Sequence, residues 1–221
     1  MSVKSSDKLK TIFELLLNPK EINALISQKY SGYLVDIGWF NSYKTKQSIN
    51  ALSKPIPWTT YPFIDFIVER LNKEITLFEY GSGNSTLFWA ERVKEVNSVE
   101  HSSEWFKLIS DKTAHLKNVE IKYTDAAKDS YSDAIKLFSK KYDFIMVDAI
   151  DRIDCMKASL DYLTKIGVVI LDDSEREEYR EGIEFIVNNG FRRIDFWGIA
   201  PTILFKKCTT IFYRNNNCLG I

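Results

Sequence analysis

The pattern of apolar and polar positions changes character along the chain. At the start apolar residues recur at helical spacing. Ile12 to Leu17 form one cluster, Asn18-Pro19 reads as an N-cap with proline at the first helical position, and Ile22, Leu25 and Ile26 then share a face. This predicts a small helical cap over a larger domain. From Ser31 to Pro62 the periodicity is lost, and Pro55, Pro57 and Pro62 punctuate the stretch. Its aromatics (Tyr33, Trp39, Phe40, Tyr43, Trp58 and Tyr61) are too many for a disordered linker, so it reads as a long ordered connection.

After Pro62 the pattern becomes regular. Phe63, Ile64, Ile67, Val68 and Leu71 predict a helix, and "ITLFEY" a buried strand. Helices and strands then alternate: a helix from about Ser85, "VNSVE", a helix from about Ser103, "VEIKY", a helix from Asp133 to Phe138, and "YDFIMVDA". A helix carrying Ile153, Met156, Leu160 and Leu163 precedes the strand "GVVILDD". Ser174 and Glu177 have the spacing of a capping box for one more helix, which Gly190 would stop. "FRRIDFW" and "CTTIFYR" follow as two strands with no helical pattern between them, which predicts antiparallel pairing. The expected fold class is α/β: a Rossmann-like, doubly wound, mostly parallel sheet with an antiparallel C-terminal strand pair, in three α/β/α layers. An N-terminal helical extension and connection would cover 1–60 and the ligand-binding domain 61–221.

Composition narrows the classes of partner. Of the 221 residues, 30 are Lys or Arg and 30 are Asp or Glu, so the balance lacks the basic surplus of a nucleic-acid binder. Cys155, Cys208 and Cys218 are odd in number and lack the paired spacing of a zinc site or disulfide framework, which suits a reducing cytoplasm. Asn18-Pro19 ends the first apolar cluster too early for a signal-peptide core, and no apolar run approaches the roughly 20 residues of a membrane span. The expectation is a cytoplasmic protein with a small-molecule partner, no nucleic acid and no membrane; oligomeric state stays open, with a homodimer as one option.

The candidate chemistry lies at the carboxyl ends of the expected strands, where open α/β sheets bind ligands. Gly81 and Gly83 follow the first strand and allow a sharp turn and a close backbone approach. Glu100 ends the second strand, where a carboxylate can accept from both hydroxyls of a ribose. So far a nicotinamide site fits equally well, and a tight turn without a ligand is the plainer alternative. Two residues weigh against a dinucleotide. Thr86 stands where its fingerprint wants Gly or Ala, and Glu79, which would repel a pyrophosphate, can engage an ammonium group.

"EYGSGNST" with "SVEHS", followed by "TDA" at Thr124 to Ala126, "YDFIMVDA", "GVVILDD" and the final strand pair, resembles the class I S-adenosylmethionine-dependent methyltransferases. The likeness runs from about Pro62 to Arg214 and is greatest for the small-molecule and sugar O-methyltransferase branch. It implies Glu79, Gly81 and Gly83 around the methionine moiety, Glu100 on the ribose, and Asp125 with the Ala126 amide at the adenine edge. Ser85, His101 and Tyr61 complete the expected cofactor set, with Trp58 and Thr60 beside Tyr61 in "PWTTYP", a stretch that resembles the family's cofactor-closing segment. Each has a plainer alternative: Asp125 as a turn aspartate, Trp58 and Tyr61 as core, His101 as a solvated loop residue.

Methyl transfer from a sulfonium is an in-line displacement, so alignment carries much of the catalysis and a base for the acceptor hydroxyl adds to it. Asp148, at the end of the fourth strand, is the candidate catalytic base. Asp172 and Asp173 end the neighbouring fifth strand, and three convergent carboxylates would repel one another unless a cation joins them. The arrangement resembles the magnesium site of catechol-type O-methyltransferases, which implies Mg on Asp148, Asp172 and Asp173, although those enzymes have Asp-Asn where this chain has Asp-Asp. The alternative is that Asp172 or Asp173 caps the next helix. The resulting expectation is a methyltransferase acting on a small-molecule or sugar hydroxyl. Its rivals are a non-catalytic binding domain that works through partners and a nicotinamide-dependent oxidoreductase.

Overall fold

The computed structural model describes residues 4–126 and 130–221. Its first two helices are α1 (Ser5–Leu16) and α2 (Pro19–Ser27). The Asn18 side chain accepts from the Glu21 amide, and Pro19 occupies the first turn of α2 as expected. No residue of either helix is buried, and Leu9, Phe13, Leu16 and Leu25 face outward. The amphipathic pattern therefore makes the helices but does not seat them as a cap on the core. The connection contains two short helices that its missing periodicity hid, α3 (Tyr33–Asp36) and α4 (Trp39–Thr45). Gly38 supplies the left-handed turn between them (φ 78°). Trp39 is buried and donates Nε1–H to the Ile203 carbonyl at 3.0 Å, and Ser42 donates to the Ile49 carbonyl at 2.6 Å. The connection thus packs into the same core as the sheet that follows.

That sheet is built from α5 (Tyr61–Val68), β1 (Thr76–Tyr80), α6 (Asn84–Arg92), β2 (Glu95–Glu100), α7 (Ser103–Thr113), β3 (Val119–Tyr123), β4 (Tyr142–Val147), α8 (Arg152–Ser159), β5 (Leu163–Asp172), α9 (Arg180–Asn188), β6 (Arg192–Gly198) and β7 (Lys207–Tyr213). The strand order is β3-β2-β1-β4-β5-β7-β6, parallel from β3 to β5, with β7 antiparallel to both β5 and β6. Alternate residues of β1 enter opposite cores: Leu77 joins Phe63, Trp89 and Phe144, whereas Phe78 joins Tyr142, Val147 and Ile186. Strand order reverses between β1 and β4, so a crevice opens beyond their carboxyl ends.

Three local expectations differ from the structure. Tyr131–Phe138 is a 3₁₀ stretch rather than an α-helix, and Leu163 opens β5 instead of closing α8. The Ser174–Glu177 capping box does not form either. Ser174 donates its amide to the Cys208 carbonyl and shares a 2.7 Å hydrogen bond between its Oγ and Thr210 Oγ1, so it is held on β7 and α9 starts only at Arg180. Neither Asp172 nor Asp173 caps a helix. Gly190 does follow the end of α9 in the left-handed region (φ 84°).

Candidate functional site

The turn after β1 explains why its glycines differ. Gly81 has φ 92°, and a Cβ there would come within 2.7 Å of the Asp148 carbonyl, so conformation and close approach both require glycine. Gly83 is extended, and a Cβ there would meet nothing closer than Ser85 Oγ at 3.7 Å and Trp105 Nε1 at 3.9 Å. Gly83 faces the cleft, with space over its Cα that the chain itself leaves open.

Thr86, a misfit in a dinucleotide site, has a clear task here. Its hydroxyl accepts from the Gly83 amide (2.9 Å) and donates to Glu79 Oε2 (2.7 Å), closing the first turn of α6. Trp89, one position further round the same helix face, donates Nε1–H to Glu79 Oε1 at 3.0 Å. Glu79 is 1% exposed and lies beneath the glycine turn rather than on the cleft wall. Burial pushes its carboxyl up to about 7 against the pull of the Ser85, Thr86 and Trp89 donors, and nearby Glu100 adds repulsion.

Glu100, 3% exposed, is held in the same manner. Oε2 accepts from the amide (3.1 Å) and hydroxyl (3.2 Å) of Ser82, and Oε1 from the amides of His101 and Ser102 (2.9 Å each). A carboxylate has about four acceptor positions, so a ribose at Glu100 would displace the rotatable Ser82 hydroxyl first. His101 Nδ1 lies 3.2 Å from Glu100 Oε1, and its ring packs edge-on against Tyr131. The Thr124 amide donates to the Glu100 carbonyl, which brings the end of β3 alongside; the half-buried Asp125 and Ala126 follow directly.

The β4 and β5 ends are organised differently. Asp148 faces the cleft and pairs with Arg152 Nη2 at 2.9 Å. Burial and the neighbouring Asp172 push its carboxyl up, against the pull of Arg152 and Lys207. Asp172 and Asp173 lie behind it, almost fully buried. Lys207 Nζ sits 2.9 Å from Asp172 Oδ2 and 2.5 Å from Asp173 Oδ1, and Arg176 Nη2 sits 2.6 Å from Asp173 Oδ2. Thr209 donates to Asp172 Oδ1 at 2.7 Å. The expected convergence of three carboxylates is real, but the chain's own cations occupy it. Nothing in this arrangement supports a metal on Asp148, Asp172 and Asp173, and among the described residues no group of acidic, His or Cys side chains is arranged to hold a metal ion.

Between these halves lies a cleft of about 420 Å³, within the range of small-ligand sites. Ser82 to Ser85 form one wall, Trp105, Leu108 and Lys112 of α7 a second, Thr45 to Ser48 with Trp58 a third, and Asp148 lines it as well. Of the expected site residues, Gly83, Ser85 and Asp148 line this cleft, and Glu79 and Glu100 support the wall formed by the glycine turn. Tyr61 does not reach it. It is 2% exposed in the core and borders a separate recess with Tyr33, Asp65 and Arg92, because its place at the start of α5 turns its ring inward. Trp58, three residues earlier, does line the cleft, whereas Thr60 is drawn to β7, with its amide 3.1 Å from Thr209 Oγ1.

Sequence reasoning missed Arg152, Lys207, Ser82 and Trp105. Trp105 carries a weak signal: with Leu108 and Lys112 it falls at helical spacing on one face of α7, and its Nε1–H donates to the Ser82 carbonyl at 2.6 Å. Lys207 carries none, since its partner is fixed by the register that sets Thr209 opposite Asp172.

No protein-family model matches the sequence, and no curated protein does either. Similarity to solved structures lies in the fold. A protein of Klebsiella pneumoniae described as an O-methyltransferase superposes with a TM-score of 0.57 at 14% identity, over 87% of this chain and 94% of its own. An rRNA methylase from Streptococcus thermophilus gives 0.51 at 15% identity, over 68% and 92%. Aeropyrum pernix fibrillarin, crystallised with natively bound S-adenosyl-L-methionine, gives 0.52 at 11%, over 65% and 68%. With its strand order, antiparallel end and crevice, this chain has the Rossmann-like fold of the class I methyltransferases.

Proposed function

We propose that the protein is an S-adenosylmethionine-dependent methyltransferase acting on a hydroxyl of a small molecule. One observation carries this reading. Beside and beneath the glycine turn, Glu79 and Glu100 are buried with hydroxyl, indole and amide donors, and among the described residues neither is paired with a Lys or Arg, the cleft's Lys46 and Lys112 standing on its other walls. A cationic ligand suits such a wall, and a pyrophosphate does not. The room beside Gly83, where an added Cβ would only touch Ser85 and Trp105 at ordinary contact distance, and the volume of the cleft fit the group as well.

When bound, S-adenosylmethionine supplies a methyl group activated by a cationic sulfur. The turn at Gly81 to Ser85 would orient it, Glu100 would exchange the Ser82 hydroxyl for a ribose hydroxyl, and Trp58 and Trp105 would shield the cleft from water. Asp148 is the base the cleft presents. Asp148 would accept the proton of the acceptor hydroxyl that takes the methyl group. Its raised carboxyl pKa strengthens it for that task, and Arg152 fixes its direction.

A small acceptor is supported by the bounded cleft and by a chain with no basic surplus. No helix is long and apolar enough to cross a membrane among the described residues. The decisive measurement is thermal unfolding with S-adenosylhomocysteine and, separately, with NADH: stabilisation by the first alone is expected, and no shift with it overturns the assignment. Methyl release from labelled cofactor onto a panel of hydroxyl compounds, with total RNA as the comparison, then reads the acceptor class. Asp148→Asn is expected to abolish turnover while leaving cofactor binding intact; a purely binding domain would lose nothing.

A further inference from the structure

A hard divalent ion takes six or more oxygen ligands, commonly one or two carboxylates with water making up the rest, and the β4 and β5 ends do not offer two carboxylates free of a cation. Both oxygens of Asp172 are engaged, Oδ1 by the Thr209 hydroxyl and Oδ2 by Lys207. Both oxygens of Asp173 are engaged, Oδ1 by Lys207 and Oδ2 by Arg176 and, at 3.4 Å, Arg152. Asp148 Oδ1 is held by Arg152. Three carboxylates face three cations, and Lys207, 5% exposed, acts on the acids of the cluster, Asp148 included.

We propose that Lys207, with Arg152, stands in the place of a divalent ion, so that the strand-end cluster holds Asp148 at the cleft without metal, and that removing the Lys207 ammonium turns the cluster into a divalent-cation site. The topology makes the substitution. Because β7 runs antiparallel beside β5 with Thr209 opposite Asp172, Lys207, two residues earlier, falls on the same face and delivers its ammonium between the two aspartates. Burial alone would lower the affinity of that ammonium for its proton, but Asp172 and Asp173 hold it at about 12, so the charge is permanent. The cluster also supports the cleft wall, since Thr209 accepts from the Thr60 amide and thereby anchors the segment that carries Trp58.

None of the following readouts involves methyl transfer, so their outcome stands apart from the proposed function. Manganese(II) is titrated into the wild-type chain, Lys207→Met and the Lys207→Met/Asp172→Asn pair, followed by electron paramagnetic resonance and thermal unfolding in EDTA and in excess Mn(II). The wild type is expected to bind no Mn(II) saturably and to melt at the same temperature in both buffers. Lys207→Met is expected to melt lower in EDTA, to recover with Mn(II) and to take up one ion, and the paired variant to take up none. Saturable binding to the wild type that Asp172→Asn abolishes would overturn the proposal, as would a Lys207→Met protein that ignores both buffers. Should Lys207→Met fail to fold, Lys207→Gln decides by the same titration: uptake of Mn(II) supports the proposal, and its absence in the folded variant overturns it.

Discussion

Two groups of buried carboxylates flank the cleft, and they are satisfied by opposite means. At the glycine turn, Glu79 and Glu100 accept from hydroxyls, an indole and backbone amides. At the β4 and β5 ends, Asp148, Asp172 and Asp173 are matched by Arg152, Lys207 and Arg176. Neutral donors orient a carboxylate but leave its charge for a ligand to answer, whereas an ion pair answers the charge and leaves the ligand only the outward-facing oxygen. Under the proposed function the first half would receive a cation and the second would hold a base in place. Both meet at Gly81, where the turn passes the carbonyl of Asp148.

Removing a cation from the self-neutralised half should have the largest effect. Lys207→Met leaves two buried carboxylates short of a partner, and in chelator it is expected to lose roughly 3–5 kcal/mol of unfolding free energy, measured by urea denaturation. A loss under about 1 kcal/mol, the scale of an exposed pair, would mean that the pairs at the β5 end are not buried as described.

Gly81→Ala disturbs both halves at once. It forces a left-handed alanine and places a Cβ against the Asp148 carbonyl, for an expected cost of roughly 1–3 kcal/mol in the same assay. Gly83→Ala isolates the receiving half. The chain has room for the methyl, so the melting temperature should stay put while affinity for S-adenosylmethionine falls about tenfold, or about 1.4 kcal/mol, by calorimetric titration. Equal loss of stability in both variants would remove the case for a ligand over Gly83.

The smallest effect is a change of slope. The folded-state value of Glu79, about 7, lies above the ordinary carboxyl range, so the group is largely protonated in the free protein below that pH. A cationic ligand favours the ionised form, so its affinity should rise with pH up to about 7, by at most about tenfold per unit, and level off above. In Glu79→Gln that rise should flatten. An unchanged profile in the variant would assign the slope to another group.

The site was legible where local chemistry forces a residue, and hidden where the neighbour is far along the chain. Gly81, Gly83, Ser85 and Asp148 fall where the strand ends predict, because a parallel sheet gathers its carboxyl ends at one edge. Thr86 counted only against a dinucleotide until the fold showed it joining Gly83 to Glu79. Tyr61 shares its segment with Trp58, and only the seating of α5 on the core sends one ring inward and the other to the cleft. The amphipathic faces of α1 and α2 were readable, yet nothing in their periodicity told that they would remain exposed.

By itself the sequence determined the alternation of strands and helices, the glycine turn and the acidic residues at the strand ends, since each follows from periodicity or backbone freedom over a few residues. Tertiary structure alone decided what answers those acids. The antiparallel insertion of β7 beside β5 brings Lys207 to Asp172, 35 residues away along the chain, and pairs the strand-end acids with the chain's own cations.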